Sequence, residues 1–249
     1  MTYCVAISLN DGLVFASDSR TSAGVDNIST YSKMKKFGID GERQFVILSS
    51  GNLATTQGVI SHVKRDIKSK SSVNLNNIPH MSDAAEYLGE INREQQEKST
   101  GGGVNFEASF IIGGQIAGGK PVVYLIYPQG NYITTSKDTP YLQIGESKYG
   151  KPILDRILTP ESSLETASLC ALVSIDSTMR SNLTVGPPIE VMVYHTDSLV
   201  LDRHYRFDVD SDYLRQLKRT WDSNLREAFN NLPPIAWSSN WDKKSEQKK

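Results

Sequence analysis

Residues 2–18 read TYCVAISLNDGLVFASD, and this stretch limits the folds that the rest of the chain can join. Apolar and smaller or polar residues alternate from Tyr3 to Ser8, which is typical of a β-strand. The tripeptide Asn10-Asp11-Gly12 suits a three-residue hairpin loop, with glycine last where a left-handed backbone is required. Residues 13–18 then run back. The stretch therefore predicts two antiparallel strands joined by a tight turn.

The predicted turn also fixes which residues face each other across the hairpin. A three-residue loop places Cys4 opposite Asp18 and Thr2 opposite Arg20. One face of the hairpin is then small and carries Asp18 close to Thr2, while the other face is bulky. A sheet with two such faces suits stacking on a second sheet on one side and packing under helices on the other.

The remaining chain repeats this order of strands and helices. Its hydrophobic patterns predict strands at 35–39 and 44–49, helices at 52–68 and 82–98, strands at 107–112, 122–127, 132–136 and 141–144, helices at 152–158 and 163–178, strands at 190–195 and 198–202, and a helix at 211–229. Asn52 and Ser82 are the predicted N-caps of the first two helices. This order predicts an α+β fold, a four-layer α-β-β-α sandwich of two antiparallel sheets. Residues 1–232 are predicted to form one domain, and residues 233–249 a loosely held extension.

Composition excludes several classes of function. The chain has 249 residues, with 27 Lys and Arg against 28 Asp and Glu, so nucleic acid and anionic membrane are not expected as partners. Two cysteines, Cys4 and Cys170, are too few for a disulfide framework. No apolar run approaches the roughly 20 residues that cross a bilayer, and no secretion signal precedes the first strand. We expect a soluble, cytoplasmic protein.

Two motifs that could indicate a cofactor have simpler explanations. Residues 114–120 imitate a phosphate-binding loop, but Pro121 replaces the hydroxyl residue that would bind magnesium, and a strand follows instead of a helix. The four histidines show no metal-ligand spacing and no cysteine pair accompanies them. The sequence therefore predicts neither a metal nor an organic cofactor.

Thr2 is the residue that carries a possible chemistry. Removal of Met1 would leave a threonine with both a hydroxyl and a free α-amine. A hydroxyl is a poor nucleophile without a base beside it, and an α-amine with a pKa of about 7.7–8.0 can accept its proton near neutral pH. A nearby ammonium would keep the amine neutral, and a carboxylate would have to position that ammonium.

Asp18 and Lys33 are candidates for those two charges. A single aspartate on a small apolar face is costly without a cationic partner, so Asp18 predicts one nearby. Lys33 could be that partner, although the run from Lys33 to Lys36 reads equally well as surface lysines. The residues alone leave these alternatives open, and Met-Thr is also a common way for a cytoplasmic protein to begin.

A family resemblance favours the catalytic interpretation. The chain resembles the proteasome β-subunits, and within them the bacterial Anbu (ancestral β-subunit) family of the N-terminal nucleophile hydrolase superfamily. The segments that carry the resemblance are Thr2 near the start, residues 12–14, 16–22 and 33–37, the turn at 50–57, and residues 176–182. The sequence begins Met-Thr as Anbu proteins do, and the resemblance implies that no propeptide precedes Thr2.

The resemblance implies a role for each matching residue. Thr2 would be the nucleophile, Lys33 the charge that tunes it, Asp18 the carboxylate that holds Lys33, and Asp176 an acid that supports the amine. The Gly51 N–H would stabilise the oxyanion. The backbone of Thr21 and Ser22 would pair with an extended, unfolded peptide or amide substrate by strand addition. Homo-oligomeric rings or open spirals of this chain are implied as well.

The sequence also departs from the family pattern at two supporting positions. Met179 lies where the family has a serine three residues beyond the acid, and Glu146 follows Gly145 where a second serine is usual, with Ser147 one step away. Two alternatives to a threonine peptidase therefore stay open. One is a catalytically weak or silent self-assembling protein, and the other is a small-molecule amidase on the same fold.

Overall fold

The computed structural model describes residues 2–22, 28–98 and 105–237, without the side chains of Ser22 and Ile28. Met1, whose removal the catalytic hypothesis requires, lies outside the described residues. The chain divides into two compact units, residues 1–210 and residues 211–249. The domain boundary predicted after residue 232 stays a prediction.

The predicted hairpin lies inside the first of two five-stranded sheets. Strands β1 (Tyr3–Leu9) and β2 (Gly12–Asp18) pair antiparallel, and the sheet has the order β10-β1-β2-β11-β12. Its other strands are β10 (Tyr141–Gly145), β11 (Ile189–His195) and β12 (Arg203–Phe207). Both β1 and β2 are almost entirely buried because each has a neighbour on both sides and a layer on each face.

The second sheet has the order β5-β6-β7-β8-β9 and is also antiparallel. Its strands are β5 (Met34–Ile39), β6 (Arg43–Gly51), β7 (Ala108–Ile116), β8 (Val122–Ile126) and β9 (Tyr132–Thr134). Strands β3 (Arg20–Ser22) and β4 (Ile28–Thr30) form a separate two-stranded ribbon between β2 and β5 in the chain. No pattern in the sequence predicted this ribbon, because three residues are too few for a periodicity to register.

Helices cover the outer faces of both sheets. Helices α1 (Leu53–Ser69) and α2 (Met81–Glu97) pack on the second sheet, and α3 (Lys151–Ile157) and α4 (Leu164–Ser181) lie on the side of the first. The second unit contains α5 (Asp212–Asn230), which is capped by the Ser211 hydroxyl and has no buried residue. Every helix in the described ranges is too short or too polar to span a bilayer.

Buried hydrophobic side chains fill the spaces between the layers. The core between the sheets contains Cys4, Ala6, Leu13, Phe15 and facing residues of the second sheet. The other core lies between the second sheet and the helices α1 and α2. The predicted α-β-β-α sandwich of two antiparallel sheets is confirmed.

The observed register corrects the predicted pairing of the hairpin. Cys4 lies opposite Ser17 and Leu9 opposite Gly12, so the loop has two residues and not three. A shift of one residue exchanges the faces of β2. Leu13 and Phe15, and not Val14 and Ala16, therefore share the inter-sheet face with Cys4. The predicted division into a small and a bulky face was wrong.

Two smaller predictions also need correction. Residues 198–202 form a loop, and the strand that pairs with β11 begins later, at Arg203. Helix α2 starts at Met81 after His80, so Ser82 lies within its first turn and does not cap it. The predicted cap of α1 is confirmed, because the Asn52 side chain accepts hydrogen bonds from the N–H groups of Ala54 and Thr55.

Candidate active site

Asp18 is the centre of the polar network at the end of β2. Its side chain is fully buried, and three donors reach its carboxylate. Oδ1 accepts from the backbone N–H of Tyr3 at 2.9 Å and from Lys33 Nζ at 2.5 Å, and Oδ2 accepts from the N–H of Gly186 at 3.1 Å. Because a buried carboxylate is stable only when it is paired and hydrogen-bonded, this network explains how Asp18 is tolerated there.

Lys33 is the cation that the burial of Asp18 required. It lies just before β5 and is 6% exposed. Its Nζ donates to Asp18 and also to the backbone oxygen of Arg20 at 2.8 Å. An ammonium has three N–H donors, and those contacts use two of them. Lys33 also lines a cavity.

The cavity has a volume of about 420 Å³ and brings most of the predicted site residues together. Its walls come from the ends of several strands and from the start of α1. The lining residues are Thr2, Arg20, Thr21, Tyr31, Lys33, Ser49, Ser50, Gly51, Leu53, Thr56 and Gly145. Thr2, Lys33, Gly51 and Thr21 therefore share one pocket, and Asp18 lies behind it through its bond to Lys33.

Thr2 is held in this cavity by its backbone. Its carbonyl oxygen accepts a hydrogen bond of 2.7 Å from the N–H of Glu146. The preceding Gly145 has a φ of +85°, and a Cβ there would lie 2.0 Å from the Thr2 oxygen. Only glycine permits this approach, so Gly145 fixes the position of Thr2 against β10.

Gly51 lies where β6 ends and α1 is about to begin. Its φ of +106° is one that side chains rarely adopt, and a Cβ would lie 2.3 Å from the Glu107 oxygen. Asn52 follows as the N-cap, and its Nδ2 donates to the backbone oxygen of Asn105 at 3.1 Å. The turn therefore depends on glycine at position 51 and asparagine at position 52, which together fix the backbone at the cavity wall.

The predicted substrate-binding residues Thr21 and Ser22 belong to β3. Thr21 lies opposite Ser29 of β4, and Thr21 also lines the cavity. In the described part of the chain β4 is the only strand that pairs with β3. The N–H and C=O of Arg20 bond to Gly186 and Lys33 and so face away from β4. Successive residues in a strand face opposite edges, so the backbone groups of Thr21 face β4 and those of Ser22 face away from it.

Asp176 and the two departures from the family pattern lie outside the lining of the cavity. Asp176 and Met179 are half-buried on α4 and are not part of the cavity lining described above. The carboxylate of Glu146 accepts from the Lys148 N–H at 3.2 Å and from Asn182 Nδ2 at 3.4 Å. The Glu146 side chain therefore links its own loop to the end of α4, while its backbone holds Thr2.

Several structural contributors to the site escaped the sequence interpretation. Gly186 donates to Asp18, and a Cβ at this position would lie 2.4 Å from the Arg20 guanidinium carbon. Glu190 is a second buried carboxylate, which accepts from Ser19 Oγ and contacts His204 Nε2, both at 3.0 Å. A glycine before two prolines was a visible signal for a special backbone. No signal in the sequence indicated Glu190, because its partners are distant in sequence.

The two cysteines do not compete as nucleophiles. Burial raises the pKa of the Cys4 thiol far above its usual range, and its Sγ contacts the Ser49 oxygen at 3.7 Å. Burial also raises the pKa of Cys170 to about 11. Since the thiolate is the reactive form, neither cysteine attacks a carbonyl at neutral pH.

Comparison with known proteins gives a consistent set of matches. The family model described as Proteasome subunit matches residues 2–194. Anbu from Yersinia bercovieri is 47% identical, with 95% of this chain and 99% of that chain covered and a TM-score of 0.90. The helical assembly of the Anbu complex from Pseudomonas aeruginosa is 49% identical over 95% and 99% of the two chains, with a TM-score of 0.91. An Anbu mutant from Hyphomicrobium sp. strain MC1 is 44% identical over 94% and 99%, with a TM-score of 0.89. Curated protein sequences provide no significant match.

Proposed function

We propose that this chain, which belongs to the Anbu branch of the proteasome family, is a threonine-type amide hydrolase that cleaves peptides. The observation that carries the proposal is the cavity shared by Thr2, Lys33 and Gly51, with Asp18 bonded to Lys33 at 2.5 Å. This arrangement supplies a nucleophile, a cation and a carboxylate in the order that an N-terminal threonine requires.

The proposed reaction begins when Met1 has been removed. The Thr2 hydroxyl attacks the substrate carbonyl carbon, and the α-amine of Thr2 takes the hydroxyl proton. The charge on Lys33 disfavours protonation of that amine, because like charges repel. The Gly51 N–H stabilises the oxyanion that forms, and Asp176 supports the amine. Removal of a single oxyanion donor typically lowers a rate by roughly 10²–10³.

Collapse of this intermediate breaks the C–N bond. The leaving amine takes the proton from the Thr2 ammonium, and the acyl group remains as an ester on the Thr2 oxygen. Water then attacks the ester carbonyl, with the free α-amine again accepting a proton. The products are a carboxylic acid and the regenerated threonine, so no redox partner and no cofactor is needed.

Substrate would bind in an extended conformation along β3. The backbone groups of Ser22, which face away from β4, offer an edge for strand addition, and Thr21 lines the cavity. Such pairing suits an unfolded peptide, because a folded chain has already satisfied its own backbone groups.

The mass of the intact protein after exposure to an epoxyketone tests this proposal. The natural chain is expected to lose Met1 and to gain one adduct per chain, while Thr2→Ala and Lys33→Ala gain none. The buried thiols of Cys4 and Cys170 leave Thr2 as the expected site of modification. Equal labelling of all three proteins, or a natural chain that keeps Met1, would contradict the mechanism.

A second candidate is a self-assembling protein with little or no turnover. Glu146 favours it, because its carboxylate is bonded to Lys148 and Asn182 where the family has a serine hydroxyl. Complete removal of Met1 without any labelling of Thr2 would select this candidate. A small-molecule amidase would instead label at Thr2 and leave peptides uncut.

The proposal includes self-association and a cytoplasmic location. A relative from Pseudomonas aeruginosa is described as a helical assembly, and we propose a homo-oligomeric ring or open spiral for this chain. Light scattering of the purified protein measures the subunit number directly.

A further inference from the structure

Positive charge dominates the wall of the cavity around Thr2. Arg20 and Lys33 both line it, and none of the eleven lining residues described above is an aspartate or glutamate. Asp18 offsets the charge of Lys33, to which it is bonded. Arg20 donates to the backbone oxygen of Leu183 at 2.6 Å, so its guanidinium bonds to a neutral group.

Lys35 adds a second cation without an anion. It is half-buried on β5 next to the cavity, outside the eleven lining residues, and its Nζ lies 4.8 Å from the centre of the Tyr31 ring, which lines the cavity. No carboxylate of the described residues forms an ion pair with it within 4.0 Å. Burial lowers the pKa of Lys35, Glu190 offsets part of this effect, and the neighbouring Lys64 lowers the pKa further.

Glu190 is the nearest candidate for a counter-ion, and it is already occupied. Its carboxylate accepts from Ser19 Oγ and contacts His204 Nε2, both at 3.0 Å. It raises the pKa of Lys35 by a through-space attraction only, without an ion pair. Because a charge that loses water without gaining a partner is disfavoured, an anion in the cavity would stabilise both Lys35 and Arg20.

We propose that the cavity accepts a substrate side chain that carries a carboxylate, glutamate or aspartate, with Lys35 and Arg20 as its charge partners. This inference rests on the proposed amide hydrolysis and specifies its substrate class. Lys35 is then a specificity-determining residue. The Tyr31 ring restrains its ammonium beside the cavity through a cation–π contact, which limits the entropy lost when a substrate carboxylate binds.

Matched substrates test this inference. Four fluorogenic peptide amides would differ only in the residue before the cleaved bond: Glu, Gln, Leu or Lys. We expect kcat/KM for Glu to exceed that for Gln by roughly tenfold, the effect of one additional charge-assisted contact. A cationic wall disfavours Lys, which is expected to be the poorest of the four. If turnover is slow, epoxyketones with the same four side chains give the same comparison as labelling rates.

Two variants of the same strand locate the effect. Lys35→Met keeps the length of the side chain and removes its charge, so the Glu-to-Gln ratio is expected to fall to about threefold or less. Lys36→Met, at the exposed neighbouring position, is the matched control and is expected to keep the ratio of the natural chain. Raising the salt concentration lowers the ratio in the natural chain more than in Lys35→Met.

The outcomes separate this inference from the proposed function. Labelling of Thr2 together with equal rates for Glu and Gln, or with a preference for Leu or Lys, would overturn the acidic specificity and leave the hydrolase proposal intact. An unchanged ratio in Lys35→Met would overturn the role of Lys35. A chain that no electrophile labels would contradict the proposed function itself, and this inference with it.

Discussion

Lys33 and Lys151 each pair with an aspartate, but the first pair is buried and the second is exposed. Lys33 and Asp18 lie 2.5 Å apart with side chains 7% and 0% exposed, whereas Lys151 and Asp155 lie 2.9 Å apart with side chains 50% and 46% exposed. The buried pair is held by backbone groups of Tyr3, Arg20 and Gly186. The exposed pair spans one turn of α3 and is bonded mainly to Tyr141.

The difference shows that the same two residue types serve two purposes. A buried ion pair is costly to desolvate, so the fold retains one only with complete hydrogen bonding around it. A surface pair contributes little to stability, because water and salt screen it. The extensive hydrogen-bond network around Asp18 is therefore an argument that the Lys33–Asp18 pair has a function. The Lys151–Asp155 pair on α3 needs no functional explanation.

Breaking the buried pair gives the largest expected effect. Lys33→Met leaves Asp18 as an unpaired buried charge, and we expect a loss of about 3–5 kcal/mol in the free energy of unfolding. Adding Asp18→Asn removes that charge and is expected to recover about half of the loss. Denaturant titration measures both values. Neither variant should label with an epoxyketone, so recovery of stability without recovery of labelling would separate the structural role of the pair from its chemical role.

A pair of intermediate burial sharpens the comparison. His204 and Glu190 lie 3.0 Å apart with side chains 28% and 5% exposed, and Glu190 also accepts from Ser19. Glu190→Gln keeps the shape of the side chain, and we expect a loss of about 1–3 kcal/mol from the weakened hydrogen bonds. If the loss in the free energy of unfolding is as small as that of a surface substitution, burial does not determine how much these pairs contribute to stability.

The exposed pair is expected to have the smallest effect and a distinct response to pH. A hydrogen bond from Tyr141 lowers the pKa of Asp155, and one between Lys151 and Tyr141 raises the pKa of Lys151. The depressed carboxyl pKa stabilises the fold above about pH 4, and this part is lost as the pH falls through the folded value. The raised ammonium pKa stabilises it below about pH 10, and that part is lost as the pH rises through the folded value.

Both contributions to the free energy of unfolding are small because about half of each side chain is exposed to water. Asp155→Asn is expected to cost less than about 1 kcal/mol at pH 7 and to leave labelling of Thr2 unchanged. Thermal melts at low and high salt measure this, since only the exposed pair should respond to added salt. A cost above that of Glu190→Gln would contradict the ranking by burial.

The sequence predicted the layers well and the local register poorly. Alternation of larger and smaller residues at 3–8 identified the first strand, and the turn at Asn10 and Asp11 identified its partner at 13–18; both strands are buried on both faces. The loop at Asn10 and Asp11 was read one residue too long, because Gly12 suits both a loop and the first position of a strand. A one-residue error is enough to exchange the faces of β2.

The site was predictable only where its residues are close in sequence or match a family. Asp18 implied a cation, and Lys33 became its partner through the family resemblance. Glu190 and His204 are separated from Ser19 by more than 170 residues, so no spacing indicates that they meet. Lys35 was one lysine in a run of three, and only the Tyr31 ring and the absence of a paired carboxylate among the described residues distinguish it from Lys36.

The hydrogen bonds that position Thr2 use its carbonyl and the N–H of Tyr3, both of which lie after the Thr2 α-carbon. Both groups are present whether or not residue 1 has been removed. Removal of Met1 is therefore expected to activate Thr2 without a change in the fold. A molecule that keeps Met1 would be folded but inactive, and it could still assemble into the same oligomer.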